Sequence, residues 1–318
     1  MTEGSWTAGP GTAGAAGARP RGGGRGGIAA ITRQALRTKR GAIGLALVIA
    51  VVLFAAVGPF VAPHAPDALI TIPLSHPSSH AWLGGDFLGR DVWSRLLDGG
   101  WALLLLAVLA TLLGVGAGTA IGVTAGFLQG KTDSVLMRLV DVGLAFPQIV
   151  FALLLVSVAG ARPWLVVVAV GTSHTPQVAR VTRAATLDVA EQDYVKVAEA
   201  NGVARWRIML FEIVPNLVSV LMVELGLRLT FSITLIAGLT FIGFGLRPPA
   251  PNWGVMINEN RIGLTLNPWG VLAPIAVIAI LTIGMNLLTD AFAAAAIGVD
   301  RAGDVITQVV PFAAEAAP

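Results

Sequence analysis

The sequence lacks cysteine and has little charge. None of its 318 residues is cysteine, which excludes disulfide bonds, thiolate metal sites and cysteine nucleophiles. Charged residues make up only 12% of the chain, against roughly 25% in soluble domains. Hydrophobic residues make up 55%, and the mean hydropathy is +0.78. This balance indicates a protein of the lipid bilayer.

Apolar stretches recur along the chain with the length that a membrane helix needs. A transmembrane α-helix requires about 20 mostly apolar residues, and such stretches lie at 42–61, 101–125, 135–159, 163–181, 217–246 and 269–288. The run before the first stretch lacks the apolar core and cleavage site of a secretory signal, so that stretch is interpreted as a retained anchor. The sequence predicts an all-α membrane protein with six transmembrane helices.

The N-terminal part of the chain has the composition of a disordered tail. Residues 1–27 are mostly Gly, Ala, Pro, Thr and Arg, which bury too little apolar surface to offset the entropy of ordering. A disordered cytoplasmic tail is therefore predicted over 1–40. Basic residues stand directly before the first span, at Arg33, Arg37, Lys39 and Arg40. The cluster suits anionic lipid, although membrane topology alone accounts for it.

The passage from Tyr194 to Asn216 is polar and helical rather than apolar. Its apolar residues recur at the three-and-four spacing of one helix face, and charged residues such as Lys196 and Glu199 occupy the other sides. Gly202 interrupts the run, because glycine lets the chain turn. The passage is predicted to form two short helices that project as a docking knob; the alternative is an amphipathic helix at the membrane surface.

Glycine recurs every four residues along the second span. Small residues in this register let helices pack closely. The residues are Gly114, Gly118, Gly122 and Gly126. They predict a packing seam, either with another span of this chain or with a partner subunit.

A few charged or kinking residues inside the spans are candidate functional residues, because charge within a bilayer is costly. Glu224 and Arg228 are four apart on one face of the fifth span, as expected of a translocation pathway or of an internal ion pair. Asp141, near the start of the third span, is expected to be solvated or paired with Arg138. Pro147 is predicted to kink that span, either to shape a pathway or to pack helices.

Several motifs with possible chemistry are set aside. The segment GFLQGKTDS ends like a phosphate-binding loop, but Ala125 stands where its first glycine belongs and the segment joins two apolar spans. His174 stands alone and is predicted to be a hydrogen-bonded packing residue. His76 and His80 are four apart, yet Pro77 favours a loop over a zinc site. No catalytic residue, metal site or nucleic-acid partner is predicted.

Three separate segments resemble the C-type permease subunits of dipeptide, oligopeptide or nickel ABC importers. HAWLGGDFLGRD is similar to their Leu-Gly-Thr-Asp and Gly-Arg-Asp motif, with Gly85 replacing threonine. The Tyr194 passage is similar to their coupling loop, with Lys196 and Val197 replacing its acidic residue and first alanine. TFIGFGLRPPAPNWG matches their Pro-Pro and Trp-Gly elements. The resemblance covers about 30–290 and implies the type I ABC-importer permease fold.

The resemblance implies roles for particular residues. Coupling to an ATPase is expected of Tyr194, Lys196, Val197, Ala198, Glu199 and Gly202. A place along the translocation pathway is expected of Asp141, Pro147, Glu224 and Arg228. An extracellular cap for docking is expected of Asp86, Arg90, Asp91, Pro249, Trp253 and Gly254. The first cap segment alone also fits a turn and an amphipathic helix with an Asp91–Arg95 ion pair.

The resemblance also implies a division of the chain and a set of partners. The parts are a tail over 1–40, the first span with an extracellular segment over 41–98, a transmembrane core over 99–290, and a cytoplasmic tail over 291–318. The core contains a cytoplasmic coupling loop at 184–216. In the C-terminal tail the family's usual sequence elements are degraded. The implied partners are a homologous second permease forming a heterodimer, two ATPase subunits that hold ATP and Mg, an extracellular substrate-binding protein, a peptide substrate and the lipid bilayer. This chain itself is expected to hold no cofactor.

The distribution of basic residues predicts the topology in the plasma (inner) membrane. With both termini and the loops after spans two and four inside, 15 basic residues lie inside and five outside, which agrees with the positive-inside rule. The pI near 9.9 does not by itself argue for a nucleic-acid partner, because the basic residues stand where a membrane topology would place them. The termini and the knob are therefore predicted to be cytoplasmic.

The residues also fit other functions. The same machinery suits import of nickel or another small solute. A stand-alone channel or ion-coupled carrier would use Glu224, Arg228 and Asp141 as a charge relay. An intramembrane enzyme is disfavoured, because no paired carboxylates or serine-base arrangement occurs deep in a span.

Overall fold

The protein is a bundle of helices. The computed structural model describes the backbone of residues 26–160, 162–244 and 251–315 and the side chains of 29–158, 160, 162–244 and 251–296. Its α-helices are α1 Gly26–Arg37, α2 Lys39–Val61, α3 Val92–Asp98, α4 Gly100–Leu128, α5 Gly130–Leu144, α6 Gln148–Ala159, α7 Pro163–Ala190, α8 Asp193–Ala200, α9 Arg205–Ile208, α10 Val218–Phe241, α11 Trp253–Asn260 and α12 Trp269–Glu315. Over the described residues the only extended pairing consists of two isolated bridges, so the all-α prediction is confirmed.

Four helical runs are long and apolar enough to cross a membrane. They are Lys39–Val61, Val92–Leu128, Arg205–Phe241 and Trp269–Ala296, and the bent pair α5 and α6 makes a fifth if it counts as one span. Helix α7 has 28 residues but falls outside this group, because the polar run at 172–177 lowers its hydropathy. Length and composition thus support four or five spans, whereas six were predicted.

The predicted third span, 135–159, is broken rather than kinked. Helices α5 and α6 meet at an angle of 88°, and Pro147 precedes α6 with φ −57° and ψ 131°. Proline has no N–H to donate and disfavours helical geometry in the residue before it. The chain therefore leaves the helix before Pro147 and begins a new one at Gln148.

The glycine seam of α4 lies against α7 of the same chain. A Cβ atom on Gly114 would lie 2.7 Å from the carbonyl oxygen of Gly171, and one on Gly122 would lie 2.6 Å from that of Ala179. Gly118 and Gly126 approach α7 in the same way. The two helices pack backbone to backbone, so any larger side chain here would force them apart. This contact decides between the two partners that the glycine spacing left open.

The main hydrophobic core lies where α2, α4, α7, α10 and α12 meet. It consists of buried aliphatic and aromatic side chains whose removal from water or lipid stabilises the packing. Its members include Val51, Leu103, Val166, Ile233, Ile236, Trp253 and Leu281. Ile233 and Ile236 of this core belong to α10, the helix that carries Glu224 and Arg228.

Both ends of the chain contain more helix than the sequence predicted. Of the predicted disordered tail 1–40, residues 1–25 lie outside the described residues, while α1 spans Gly26–Arg37. Ile31 and Ala35 of α1 pack on Ala291 and Ala295 of α12, which gives the helix an apolar surface to bury. The predicted C-terminal tail begins within α12, which continues to Glu315.

Candidate functional site

Two short helices, α8 and α9, form a knob at residues 193–208. Helix α8 ends at Ala200, and Gly202, two residues later, has a φ of +72°. The N–H of Val203 donates to the carbonyl of Ala198 at 3.1 Å, and that of Gly202 to Glu199 at 2.9 Å, which is the Schellman pattern of helix termination. Glycine suits this left-handed position because it has no Cβ. The predicted break at Gly202 is therefore confirmed.

A small core of its own anchors the knob to the bundle. Val195 of α8, Ile208 of α9 and Ile213 beyond it are fully buried, and they pack with Val123 of α4 and with Leu217, next to the start of α10. The knob is therefore packed against α4 and against the chain that leads into α10, both of them long bundle helices.

The residues predicted to couple divide into an exposed and a half-buried set. Val197 is 58% exposed, and Lys196, Glu199 and Gly202 are also exposed. Tyr194 and Ala198 are half-buried and pack on the knob core. Burial, together with the nearby Glu212 carboxylate, raises the pKa of Tyr194 above its ordinary value of 10, so its hydroxyl stays neutral at physiological pH.

Large apolar side chains on and beside the knob remain exposed. They are Val197, Val203, Trp206, Leu210 and Phe211. The exposed cations Arg205 and Arg207 flank them, and the Arg207 guanidinium lies 5.9 Å from the Trp206 ring centroid. An apolar patch with a charged rim is typical of a protein-binding surface.

Irregular helical turns connect the knob to α10. A π-helical turn spans Met209–Ile213 and a 3-10 turn spans Val214–Leu217. Pro215 lies within the second turn and cannot donate a backbone hydrogen bond, so a regular α-helix cannot run through it. The side chain of Asn216 donates to the carbonyl of Glu212 and supports the turn. The predicted fifth span therefore begins as α10 at Val218, just after Pro215.

Glu224 and Arg228 of α10 form an ion pair inside the bundle. The Arg228 Nε lies 2.9 Å from the Glu224 Oε2, with side chains 11% and 7% exposed respectively. The Arg228 guanidinium also lies 5.7 Å from the Phe231 ring centroid. A cavity beside Glu224 has a volume of about 280 Å³ and is also lined by Ser219. The pair neutralises both charges and leaves one carboxylate next to open space.

Two further ion pairs join α5 to α7. Asp141 was expected to be solvated or paired with Arg138; its side chain is 59% exposed, and it pairs with Arg180 at 2.6 Å instead of with Arg138. Asp133 accepts two hydrogen bonds from the guanidinium of Arg183, at 2.5 and 2.6 Å. The second pair was missed by the sequence analysis, since its members are 50 residues apart. Together the pairs hold α5, the first half of the broken span, against the helix that leads into the knob.

A chain of polar side chains crosses the bundle near the break before α6. The Gln148 Nε2 lies 3.3 Å from the His174 Nδ1, the His174 Nε2 lies 3.1 Å from the Ser232 hydroxyl, and that hydroxyl lies 3.0 Å from the Thr111 hydroxyl. Thr111 in turn donates to the Ala107 carbonyl at 2.7 Å. One order of donors satisfies every member: Gln148 donates to Nδ1, Nε2 donates to Ser232, and Ser232 donates to Thr111. The chain selects a neutral His174 with its proton on Nε2, and His174 is the hydrogen-bonded packing residue that was predicted.

Four buried charges hold together a cap formed by residues 62–99 and 251–268. Asp86, Arg90 and Arg95 are each at most 3% exposed, and they cluster with Glu259 of α11. The Arg90 Nε donates to Asp86 at 2.6 Å and the Arg90 Nη2 donates to Glu259 at 3.0 Å. Arg95 contacts both carboxylates through its Nη1. This network joins segments more than 160 residues apart. Neither the role of Glu259 nor that of Arg95 was found from the sequence.

The other predicted cap residues also lie in the interior of the cap. Asp91 caps α3 through the N–H groups of Trp93 and Ser94 and contacts the His64 ring at 3.2 Å. The alternative Asp91–Arg95 ion pair is therefore wrong. The Trp253 Nε1 donates to the Leu96 carbonyl at 2.9 Å.

The last two predicted cap residues are Gly254 and Pro249. A Cβ atom on Gly254 would overlap the Thr240 hydroxyl, so α11 lies directly on α10 at this glycine. Pro249 lies outside the described residues.

Comparison with known proteins identifies the family. Residues 118–297 match the family described as binding-protein-dependent transport system inner membrane component, which is more than half of the chain. The chain belongs to this family. Residues 30–77 of this permease also match the N-terminal TM domain of oligopeptide transport permease C, so the resemblance stated from the motifs is confirmed.

Individual relatives agree with this assignment. The permease is 37% identical over 214 residues to the glutathione transport system permease protein GsiD of Pectobacterium atrosepticum, covering 67% of this chain and 71% of the relative. It is 40% identical to GsiD of Shigella flexneri over the same shares. Its fold is similar to a chain of the MetNI methionine ABC transporter, with a TM-score of 0.52 and 16% identity, over 64% of this chain and 96% of that one. The protein is thus an inner-membrane permease subunit of an ABC importer with the type I fold, and such a membrane component has no catalytic site of its own.

Proposed function

We propose that this permease forms half of the translocation pathway of an ATP-driven importer for short peptides. A homologous permease would supply the other half, two ATPase subunits would supply the energy, and an extracellular binding protein would deliver the substrate. The observation that carries the proposal is the exposed knob, which stands on its own core in a chain of the importer family. Its apolar patch with a basic rim suits an ATPase surface.

The knob is connected to the helix that carries the buried ion pair. Closure of the ATPases would push on α8 and α9, and the knob core would pass the movement to α4 and α10. Counted from Leu217, Glu224 and Arg228 lie about two and about three helical turns along α10. A rigid lever of this kind shifts the bundle between two states when the nucleotide favours one of them.

The relatives favour peptide as the substrate. Two of them are glutathione transport permeases, and glutathione is a short peptide. Asp141, Pro147, Glu224 and Arg228 are proposed to lie along the pathway, where the Glu224 carboxylate beside its cavity would meet the peptide's ammonium group. Nickel or another small solute is the alternative cargo.

Uptake into proteoliposomes that contain the complete importer tests the substrate. We expect ATP-dependent accumulation of labelled glutathione or dipeptide when the matching binding protein is present. Nickel uptake without peptide uptake would contradict the peptide proposal. Uptake by the single permease without ATP would instead favour the channel or carrier.

A cysteine at Val197 is expected to cross-link to an ATPase subunit. Val197 is 58% exposed on α8, and the chain has no cysteine of its own, so Val197→Cys introduces a single thiol without burying it. A second cysteine is placed on the docking surface of the ATPase, and a bifunctional thiol reagent is added. A cross-linked band on a gel then shows that the two surfaces are in contact. Ala198 is a poorer position because it packs on the knob core.

Val158→Cys is the matched control for this cross-link. Val158 is 81% exposed, near the end of α6, and no ATPase contact is expected there. Equal cross-linking at both positions would contradict the docking site. Labelling of Val197→Cys by an impermeant reagent from the outside would contradict the predicted topology.

A further inference from the structure

Four exposed cations surround the corner between α1 and α2. Arg33 and Arg37 lie on α1, and Lys39 and Arg40 are the first residues of α2. Among the side chains that the structure describes, none of the four takes part in an ion pair. No acidic residue occurs between positions 26 and 66. The corner therefore presents four clustered positive charges, and no acidic residue lies near them in the sequence of α1 and α2.

The corner is held in place rather than hanging from the bundle. Ile31 and Ala35 are buried against α12. Thr38 caps α2 by accepting from the N–H of Gly41 at 3.0 Å, and a Cβ atom on Gly41 would lie 2.2 Å from the Ala35 carbonyl oxygen. Packing and capping thus fix the backbone positions that carry the cations before any ligand binds, which lowers the entropy cost of ordering the corner on binding.

The cations point away from the bundle and adjoin an exposed apolar surface. Arg33 and Arg37 each follow a buried residue of α1 by two positions, which places them on the opposite side of the helix. Directly after Arg40, α2 exposes large apolar side chains. They are Ile43 at 55%, Ile49 at 46% and Leu53 at 55% exposed. A ligand with an anionic end and a long apolar body fits a cationic corner that continues into an apolar helix face.

We propose that the α1–α2 corner binds the phosphate of an anionic phospholipid, with the acyl chains lying along α2. Guanidinium groups bind phosphate oxygens in a bidentate manner, and three of the four cations are arginine. We choose lipid over soluble phosphate because the exposed apolar side chains of α2 adjoin the cations and would contact acyl chains, which free phosphate lacks. The proposal does not depend on the imported substrate.

Binding of fluorescent phosphatidylglycerol to the complete importer in detergent tests the site. Arg33→Gln/Arg37→Gln is expected to weaken this binding about 30-fold, because two headgroup cations are lost from an exposed helix face. Binding of phosphatidylcholine with the same acyl chains should be weaker from the start and change little. Raising the salt concentration should weaken phosphatidylglycerol binding to the unmodified importer.

Lys131→Gln/Arg138→Gln is the matched control. Both residues are exposed on α5 and take no part in the described ion pairs, so the control removes the same charge and should retain lipid binding. Equal loss in both double variants, or equal affinity of the unmodified importer for the two lipids, would overturn the site. Displacement of the lipid by inorganic phosphate would show a site for the free anion. If Arg33→Gln/Arg37→Gln lost its ATPase subunits but bound lipid as before, the lipid site would be overturned and the cations would belong to a protein contact.

Discussion

A Gly202→Glu variant is expected to fold but to lose transport. The position has φ +72° and a Cβ atom there would meet nothing within 4 Å, so the cost to folding is the strain of a left-handed residue, about 1–2 kcal/mol. The new carboxylate would project from the proposed ATPase surface, where an added charge in a docked contact costs several kcal/mol. Substrate uptake should fall by at least roughly tenfold, and ATP hydrolysis should no longer respond to substrate.

Gly130→Glu separates the docking effect from the strain. Gly130 has φ +59° with no atom within 4 Å of a built Cβ, and it is exposed at the corner between α4 and α5. The substitution therefore adds the same charge and a similar backbone penalty away from the knob. Uptake should stay near that of the unmodified importer. Normal substrate-stimulated hydrolysis and uptake in Gly202→Glu would remove the basis for the coupling role.

An Arg95→Leu variant is expected to destabilise the cap strongly. Arg95 is fully buried and contacts both Asp86 and Glu259. Its removal leaves two carboxylates sharing the single guanidinium of Arg90, and breaking a buried ionic network in this way costs about 3–5 kcal/mol. Thermal unfolding of the purified permease complex in detergent, followed by tryptophan fluorescence, should show a clear drop in midpoint, because Trp253 bonds to the adjacent Leu96.

Two comparisons make this result specific. Arg261→Leu removes an exposed arginine from the turn after α11 and should leave the midpoint nearly unchanged. Glu259→Gln combined with Arg95→Leu should recover part of the loss, because it removes the surplus negative charge. An equal drop for Arg95→Leu and Arg261→Leu would show that the network does not support the cap.

The cap also shows why a docking role requires a surface other than the predicted residues. Asp86, Arg90, Asp91 and Trp253 are buried, so a binding protein would touch the side chains built over them. The contribution that we propose for them is to fix the shape of that surface. The Gly-Arg-Asp motif is in this respect a structural motif of the cap.

Patterns that act over a few residues were predictable from the sequence. Gly202 terminates α8 through a Schellman turn, which depends only on the residues around that helix end. Glu224 pairs with Arg228 because both lie on one face of one helix. The glycine spacing of α4 indicates close packing for the same local reason. Such features depend on helix geometry, which a single segment contains in full.

Pairings between distant segments were decided only by the tertiary structure. Arg95 has a carboxylate four positions before it, yet it bonds to Asp86 and to Glu259, 164 residues away. Asp141 likewise pairs with Arg180 of α7 instead of its neighbour Arg138, and the seam of α4 met α7 of its own chain. The sequence by itself determined an apolar, helical importer permease with a projecting knob, because composition, helix period and motif order are properties of the linear chain. The tertiary structure decides which charges pair and which helix faces pack together. The physical reason is that Coulomb attraction and packing depend on distance in space and not on separation along the chain.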